Sequence, residues 1–231
     1  MILLCLDTSG PVAGVALMED GKVRYEAMAV NAFTHSQSIL PMVEEACLRT
    51  GLEIGNVDYF AVTAGPGSFT GVRIGISTVK GLAQGCNKPC IAVDALEAMA
   101  NGVRFFDGIL CPMQDARAGQ VYAAAFEGGS MKRLMEDAPV RLEDYLSTVE
   151  QFGRSMLFLG DGMPVHRNRI HELLGEKAVF APPHISFLRP AAAAETAWRS
   201  LDRAVDCRQL SPLYLRPPQA ERQKNLVEKK Q

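Results

Sequence analysis

A glycine-rich loop is the stretch of this chain best suited to bind a charged group. It reads Gly65-Pro66-Gly67-Ser68-Phe69-Thr70-Gly71 and follows the apolar run 57–64. Apolar residues then recur at helical spacing, at Val72, Ile76, Val79 and Ala83. The pattern predicts a strand, a loop and a helix, and such a turn directs backbone N–H groups and a helix dipole toward a phosphate or another anion. The alternative is a tight connection that uses small residues for close packing.

The loop does not match either standard phosphate-binding fingerprint. Five positions after Gly65, both the Walker A loop and the G-x-G-x-x-G fingerprint require glycine, and this chain has Thr70. An ordinary nucleotide site is therefore not predicted, and Gly65 and Gly67 are kept only as residues close to a nucleotide. Arg73 is a candidate partner for a phosphate or for a carboxylate of another protein, and its alternative is an ordinary exposed helix arginine.

Two aspartates hold equivalent places at the ends of predicted strands. Asp7 ends the first apolar strand, and Asp115 ends a similar strand, 109–115, in the second half of the chain. Carboxylates that face each other in this way can hold Mg²⁺-bound phosphate in a cleft. The alternative is an Asx turn at each strand end. We favour the turn for Asp115, and Asp7 stays open as a residue close to a nucleotide.

Patterns for metal binding and nucleophilic catalysis are incomplete. The residue four after His35 is Ile39, so the H-x-x-x-H pair of a helical metal site is missing. His166 and His171 are five residues apart and point in different directions on a helix. Ser68 lacks the second glycine of a G-x-S-x-G elbow. The sequence predicts no metal site and no catalytic residue.

The elements that position these residues begin with three strands, 2–7, 12–18 and 22–29, the last two joined by an Asp-Gly hairpin turn. Thr34 and Gln37 then stand at capping-box spacing. Leu40, Val43 and Cys47 line one face of the predicted helix, and Gly51 ends it. Pro41 requires either a helix that begins near Ser38 or a kink.

The second half repeats the first. Strands are predicted at 109–115, 121–126 and 156–159, and the last runs into a second glycine loop and a helix over 165–174. We expect a subdomain over 1–105 and a second over 106–189. A helix that begins at Pro190 and continues to Val205, with an extended return, occupies 190–217, and 218–231 is expected to be a flexible tail.

Composition restricts the function classes. The chain has 231 residues, 48% of them hydrophobic, and a formal net charge of −2. It lacks the basic surplus of a stand-alone nucleic-acid binder. No apolar run reaches the roughly 20 residues of a membrane span, and the start lacks a signal-peptide pattern. Six scattered cysteines without a C-x-x-C pair favour reduced core residues, and we expect a cytoplasmic protein with no role at a membrane.

Five segments in chain order resemble the TsaB family, also called YeaZ. They are LLCLDTSGPVAGVAL (3–17), THSQSILPMVEEAC (34–47), GPGSFTGVRIGISTVKGLA (65–83), QDARAGQVYAA (114–124) and PLYLR (212–216). The resemblance implies an α/β chain with a duplicated actin, sugar kinase and Hsp70-like (RNase H-like) fold in two related subdomains. It also implies a scaffold subunit in the threonylcarbamoylation of adenosine 37, in tRNAs that read codons beginning with A.

The resemblance further implies a chain that is not an enzyme by itself. Its partner would be TsaD, the catalytic paralogue, with the ATPase TsaE joining the pair, a homodimer forming when TsaD is missing, and tRNA bound only through the complex. The implied interface lies on two helices, at Leu40, Val43, Cys47, Gly71, Arg73, Gly75, Thr78 and Gly81. No cofactor is implied, although a nucleotide at the TsaB–TsaD interface stays open. The competing hypothesis is an ATP-dependent phosphotransferase or a glycopeptidase of the same fold.

Overall fold

A computed structural model describes residues 1–30 and 34–216. The expected flexible tail, 218–231, lies outside them. Five strands form a first mixed sheet in the order β3-β2-β1-β4-β5. They are β1 (Ile2–Asp7), β2 (Ala13–Glu19), β3 (Lys22–Ala29), β4 (Tyr59–Gly65) and β5 (Cys90–Asp94). The helices of this half are α1 (His35–Thr50), α2 (Phe69–Cys86) and α3 (Ala95–Asn101).

The second sheet repeats the topology of the first. Its strands are β6 (Ile109–Asp115), β7 (Gln120–Glu127), β8 (Arg133–Arg141), β9 (Met156–Leu159) and β10 (Ala178–Phe180), in the order β8-β7-β6-β9-β10. In both sheets the first three strands are antiparallel and the last two run parallel to the first. Two copies of one strand order confirm a duplicated α/β fold.

Helices cover both sheets. α1 and α2 bury their apolar faces on one side of the first sheet. On its other side, α3 and a C-terminal helix α6 (Pro190–Trp198) share a core with strands of the second sheet, which joins the two halves. The outer face of the second sheet is covered by α4 (Leu142–Glu150) and α5 (Gly162–Leu174). In the part of the chain that the structure describes, no helix is long and apolar enough to span a membrane.

Local signals in the sequence account for several boundaries. Asp20 and Gly21 both have positive φ, at 49° and 77°, as a tight β2–β3 hairpin turn requires. Thr34 and Gln37 form the predicted capping box at the start of α1, and Gly51 ends that helix in the left-handed conformation. These residues fix helix and turn ends through their own backbone preferences.

Two boundaries differ from the sequence expectations. Of the two alternatives for Pro41, a helix that begins near Ser38 is excluded, because α1 begins at His35 and Pro41 lies inside it. α6 ends at Trp198, and residues 201–203 form a separate 3₁₀ turn, although the sequence predicted a helix to Val205. The sequence also gave no indication of β8, α4 or β10. Pro139 and two acidic residues within β8 explain why its strand pattern is obscured.

A charged cluster links the halves beside the shared core. The guanidinium of Arg133, on β8, donates to Asp94 Oδ2 at 2.9 Å, to Glu97 Oε2 at 3.2 Å and to Asp137. Asp94 caps α3 of the first half, and Asp137 belongs to the second. Burial and the neighbouring Asp94 raise the pKa of Asp137 to about 8. The guanidinium of one arginine therefore donates hydrogen bonds to three acidic side chains at the junction of the two halves.

Candidate functional site

A cleft of about 630 Å³ separates the two halves. Its walls come from the residues that follow β1 and β6, the glycine loop before α2, and the start of α5. Residues 213–216 form the remaining wall. Gly67 and Asp115 line this cleft, and Asp7 lines a smaller chamber, because β1 and β6 occupy equivalent positions in the two sheets.

Asp7 is buried at the inner end of β1 and holds the local backbone. Its Oδ1 atom accepts hydrogen bonds from the Ser9 N–H at 2.9 Å, from Ser9 Oγ at 2.8 Å and from Thr63 Oγ1. The first of these is an Asx turn. Burial raises the pKa of Asp7, while these donors oppose the shift. Much of the hydrogen-bonding capacity of this carboxylate is therefore used within the chain.

The glycine loop packs against the segment that follows β1. The Ser68 N–H donates to the Ser9 carbonyl at 2.7 Å, and the Gly71 N–H donates to Ser68 Oγ at 3.2 Å. A β-carbon at Gly67 would lie 2.3 Å from the Ser9 carbonyl oxygen, and one at Gly65 would lie 2.6 Å from the Leu213 carbonyl oxygen. These glycines allow close backbone packing, as the alternative interpretation of the loop stated.

The glycines of α2 divide into two groups. A β-carbon at Gly71 would lie 2.1 Å from the Thr8 carbonyl oxygen, and one at Gly75 would lie 2.5 Å from Thr8 Oγ1. Gly71 and Gly75 are thus buried against this chain's own β1, and assigning them to a partner interface is wrong. Gly81 and Gly85 are exposed, and a β-carbon at either would meet no atom of the described structure within 4 Å.

The other proposed interface residues differ in exposure. Val43 is only 4% exposed and packs in the core with Ile39 and Ala46, so it presents almost no surface to a partner. Leu40 is 46% exposed, and Cys47 and Thr78 are half-buried. Sequence reasoning missed Leu48, which is 80% exposed. Its position eight residues after Leu40, on the same helix stripe, was the available signal.

The second wall of the cleft carries polar groups around the end of β6. Asp115 forms an Asx turn, its Oδ1 accepting from the Arg117 N–H at 2.8 Å, as favoured from the sequence. Gln114 and Asp161 each have a buried side-chain oxygen, Oε1 and Oδ1, without a hydrogen-bond partner among the described residues. Burial raises the pKa of Asp161 to about 6, although hydrogen bonds from backbone N–H groups, including that of Asp115, oppose the shift. Sequence reasoning did not select Gln114, because glutamine at a strand end is not a distinctive signal.

The C-terminal segment 213–216 closes one side of the cleft. The ring of Tyr214 stacks on Phe69 with centroids 4.7 Å apart, and Arg73 lies 3.8 Å over the Phe69 ring. Arg73 Nε donates to the Tyr214 hydroxyl at 2.7 Å. Arg216 lies 5.4 Å from the ring centroid of Tyr122, on the second half. The segment therefore contacts both halves, and Arg73 is engaged with this chain's own aromatic rings.

His35 makes a local contact, whereas the buried His166 Nε2 has no hydrogen-bond partner among the described residues. The ring Nε2 of His35 lies 2.9 Å from the Gly10 carbonyl oxygen and donates to it, which ties the start of α1 to the rim of the cleft. Over residues 1–30 and 34–216, no group of three or more His, Cys, Asp or Glu side chains is arranged to hold a metal ion.

The chain is similar in sequence and in fold to known proteins. A family model described as TsaD, tRNA N6-adenosine threonylcarbamoyltransferase, matches residues 29–224. The chain is 34% identical to the tRNA threonylcarbamoyladenosine biosynthesis protein TsaB of Bacillus subtilis, over 96% of both chains. It is 39% identical to the Escherichia coli protein of the same name, over 55% of each. The structure of YeaZ from Pseudomonas aeruginosa superposes with a TM-score of 0.78 at 27% identity, covering 93% of this chain and 99% of that one.

Two sheets of one strand order define a duplicated α/β protein, and the matching relatives are tRNA threonylcarbamoyladenosine proteins. Within that class, the chain belongs to the TsaB family of tRNA threonylcarbamoyladenosine biosynthesis proteins. The family and the pathway expected from the sequence are thereby confirmed.

Proposed function

We propose that this chain is the accessory, non-catalytic partner of TsaD in the threonylcarbamoylation of adenosine in tRNA. It binds TsaD through the outer face of α1 and α2. TsaE joins the pair, tRNA is bound through the complex, and in the absence of TsaD the same face forms a homodimer. The complex acts in the cytoplasm.

The observation that carries the proposal is the surface of α1 and α2. Leu40 and Leu48 expose apolar side chains on α1, and Gly81 and Gly85 leave open space on α2. Both helices lie on the same side of the first sheet. Small residues let a second helix approach closely, and the exposed leucines supply apolar area for a contact to bury. The match of the chain to the TsaD model supports pairing between two related folds.

The non-catalytic role is supported by the hydrogen bonds that the cleft residues form within the chain. The Ser68 and Gly71 N–H groups of the glycine loop donate within the chain, and Asp7 Oδ1 accepts three internal hydrogen bonds. A loop that holds triphosphate needs such N–H groups free. We therefore propose no resident cofactor, and a nucleotide, where one binds, lies at the interface with TsaD.

The interface is tested by titrating TsaD with variants of this chain at Gly81 and measuring the binding affinity by calorimetry. Gly81→Arg places a long charged side chain in the contact, and we expect affinity to fall by at least about 10-fold, since 1.4 kcal/mol corresponds to a factor of ten. Gly81→Ala is the matched control, with an expected change of less than about 2-fold. Leu48→Glu tests α1 independently and should also weaken pairing. Unchanged affinity in Gly81→Arg and Leu48→Glu would remove this face from the interface.

The function itself is tested by reconstitution of tRNA modification with purified TsaD and TsaE, with and without this chain. We expect modification to require the chain, and the chain alone to turn over neither ATP nor peptide. ATP turnover by the chain alone that Asp7→Asn abolishes would replace the accessory role with the competing phosphotransferase, and peptide cleavage by the chain alone would replace it with the glycopeptidase.

A further inference from the structure

The inner wall of the cleft contains two buried hydrogen-bond acceptors that lack donors. Gln114 is only 4% exposed, and its Oε1 atom has no partner within the described residues. The same holds for Asp161 Oδ1, and both side chains line the same small chamber. A buried acceptor without a donor is energetically unfavourable. Two such groups in one cleft indicate a ligand that brings N–H or O–H donors to them.

The mouth of the cleft carries two cationic groups, and one of them lies near an aromatic ring. Arg117 and Arg216 line it and form no salt bridge in the part of the chain that the structure describes. Arg216 is near the Tyr122 ring, and Tyr214 is 42% exposed on the same lining. Asp115 is the exposed carboxylate here, and its Oδ1 accepts the Arg117 N–H. Guanidinium groups without an ion-pair partner suit phosphates, and the rings of Tyr122 and Tyr214 suit a stacked base.

The distribution of these groups favours a strand of nucleotides over a free nucleoside triphosphate. The glycine-loop N–H groups of Ser68 and Gly71 are engaged inside the chain and form no phosphate cradle. The two arginines belong to separate elements, one on the β6–β7 turn and one on the C-terminal segment. Cations spread along a rim can contact successive phosphates of a backbone, and the acceptors inside can receive a base.

We propose that the cleft receives an unstacked base of single-stranded RNA, whose amino group donates to Gln114 Oε1 and Asp161 Oδ1. Arg117 and Arg216 contact the flanking phosphates, and Tyr122 or Tyr214 stacks on the base. The assignment rests on the proposed function, since the RNA reaches the cleft while the chain is paired with TsaD. It gives this subunit a direct RNA contact within the complex.

The test uses the complex with TsaD and a fluorescently labelled oligoadenylate, followed by anisotropy at several salt concentrations. Arg117→Ala/Arg216→Ala should bind about 10-fold or more weakly, and the slope of log K against log salt should fall by about 1.4, or 0.7 per lost phosphate contact. The matched control is Arg167→Ala. Arg167 also lies over an aromatic ring, 4.3 Å from the Phe180 centroid, and does not line the cleft.

The base contact is tested with an oligomer in which purine riboside, which lacks the amino group, replaces adenosine. The wild type should prefer oligoadenylate by about 10-fold, because one hydrogen bond to a buried acceptor is worth about 1.4 kcal/mol. Gln114→Met removes the acceptor at similar volume and should reduce that preference. Equal affinity for both oligomers in the wild type contradicts the base contact.

Two further outcomes overturn the inference. In one, the double arginine variant binds RNA with wild-type affinity and salt slope. In the other, ADP or ATP displaces the RNA from the cleft, and the cleft is then a binding site for a free nucleotide. Pairing of each variant with TsaD is measured alongside by sedimentation. Retained pairing with unchanged RNA binding rejects this inference alone, whereas loss of pairing in Gly81→Arg and Leu48→Glu reports on the proposed function.

Discussion

Gly75 lies directly against Thr8: a β-carbon added at Gly75 would sit 2.5 Å from Thr8 Oγ1 and 3.0 Å from Val62 Cγ2. The same threonine donates its hydroxyl to the Gly71 carbonyl at 2.7 Å. Two glycines on one face of α2 thus let the helix pack on the end of β1. This contact positions the glycine loop at the cleft.

Substitution of the two kinds of α2 glycine should have opposite effects on stability. Gly75→Ala overpacks the contact with Thr8 and should lower the free energy of unfolding by about 1–3 kcal/mol. Gly81→Ala adds a methyl group in open space and should raise it by up to about 1 kcal/mol, because alanine favours the helix. Urea unfolding of both variants measures the difference, and equal effects would contradict the assignment of Gly75 to the core.

The Tyr214 stack should hold the C-terminal segment over the cleft. Tyr214→Ala removes the contact with Phe69 and should lower stability by about 0.5–1.5 kcal/mol, the usual value of an aromatic pair. Tyr214→Phe keeps the stack and loses only the hydrogen bond from Arg73 Nε, so a smaller loss is expected. Hydrogen exchange at residues 213–215 provides the local readout. Faster exchange in the alanine variant alone supports the stack, whereas equal exchange in all three proteins contradicts it.

The cluster at the junction of the halves should make stability depend on pH. Burial and Asp94 raise the pKa of Asp137 to about 8, above that of an aspartate in the unfolded chain. The folded state therefore holds a proton that the unfolded state releases, and stability falls as pH rises toward 8. The slope is at most about 1.4 kcal/mol per pH unit for one proton.

Asp137→Asn should remove this dependence. The stability of the variant relative to wild type should increase between pH 6.5 and 8 and level off above that. Thermal unfolding across pH 6.5 to 9 tests the prediction, and Asp144→Asn, on exposed α4 surface, is the control. Parallel pH profiles for Asp137→Asn and wild type would assign the proton to another group.

The β6–β7 turn stores backbone strain that a single substitution should relieve. Arg117, Ala118 and Gly119 follow each other with φ of 62°, 52° and 69°. Left-handed backbone costs a residue with a β-carbon about 1–2 kcal/mol, and glycine avoids that cost. Ala118→Gly should therefore raise the free energy of unfolding by about 0.5–1 kcal/mol, net of the added freedom of the unfolded chain. Chemical denaturation measures it, and a loss of stability would contradict the left-handed turn.

Most elements of this fold follow from short-range patterns. The hairpin at Asp20-Gly21, the capping box from Thr34 to Gln37 and the apolar spacing of α2 each act within one turn or helix. The conformation of each of these segments therefore depends little on distant residues. The exceptions include Pro41 inside α1, the end of α6, and the unpredicted elements α4, β8 and β10. In β8, an edge strand, Arg133 pairs with the distant Asp94 and Glu97.

The candidate site was less accessible to sequence reasoning. Helical spacing predicted an apolar face on α1 but not which part of the protein covers that face. In the structure Val43 is buried in the core and Leu48 is exposed. Gln114 gave no signal at all. Its importance arises only because folding buries its oxygen, without a partner, in the chamber that Asp161 also lines.

The sequence by itself determined the duplicated fold, the family and the strand–loop–helix form of the glycine stretch, since these depend on local spacing and residue type. Only the tertiary structure decided what the glycines are for. Gly71 and Thr8 are 63 residues apart in the chain, and they meet because β1 and β4 pair in parallel. Glycine allows another segment to approach the helix backbone closely, but it does not determine which segment does so. The strand pairing in the sheet determines that.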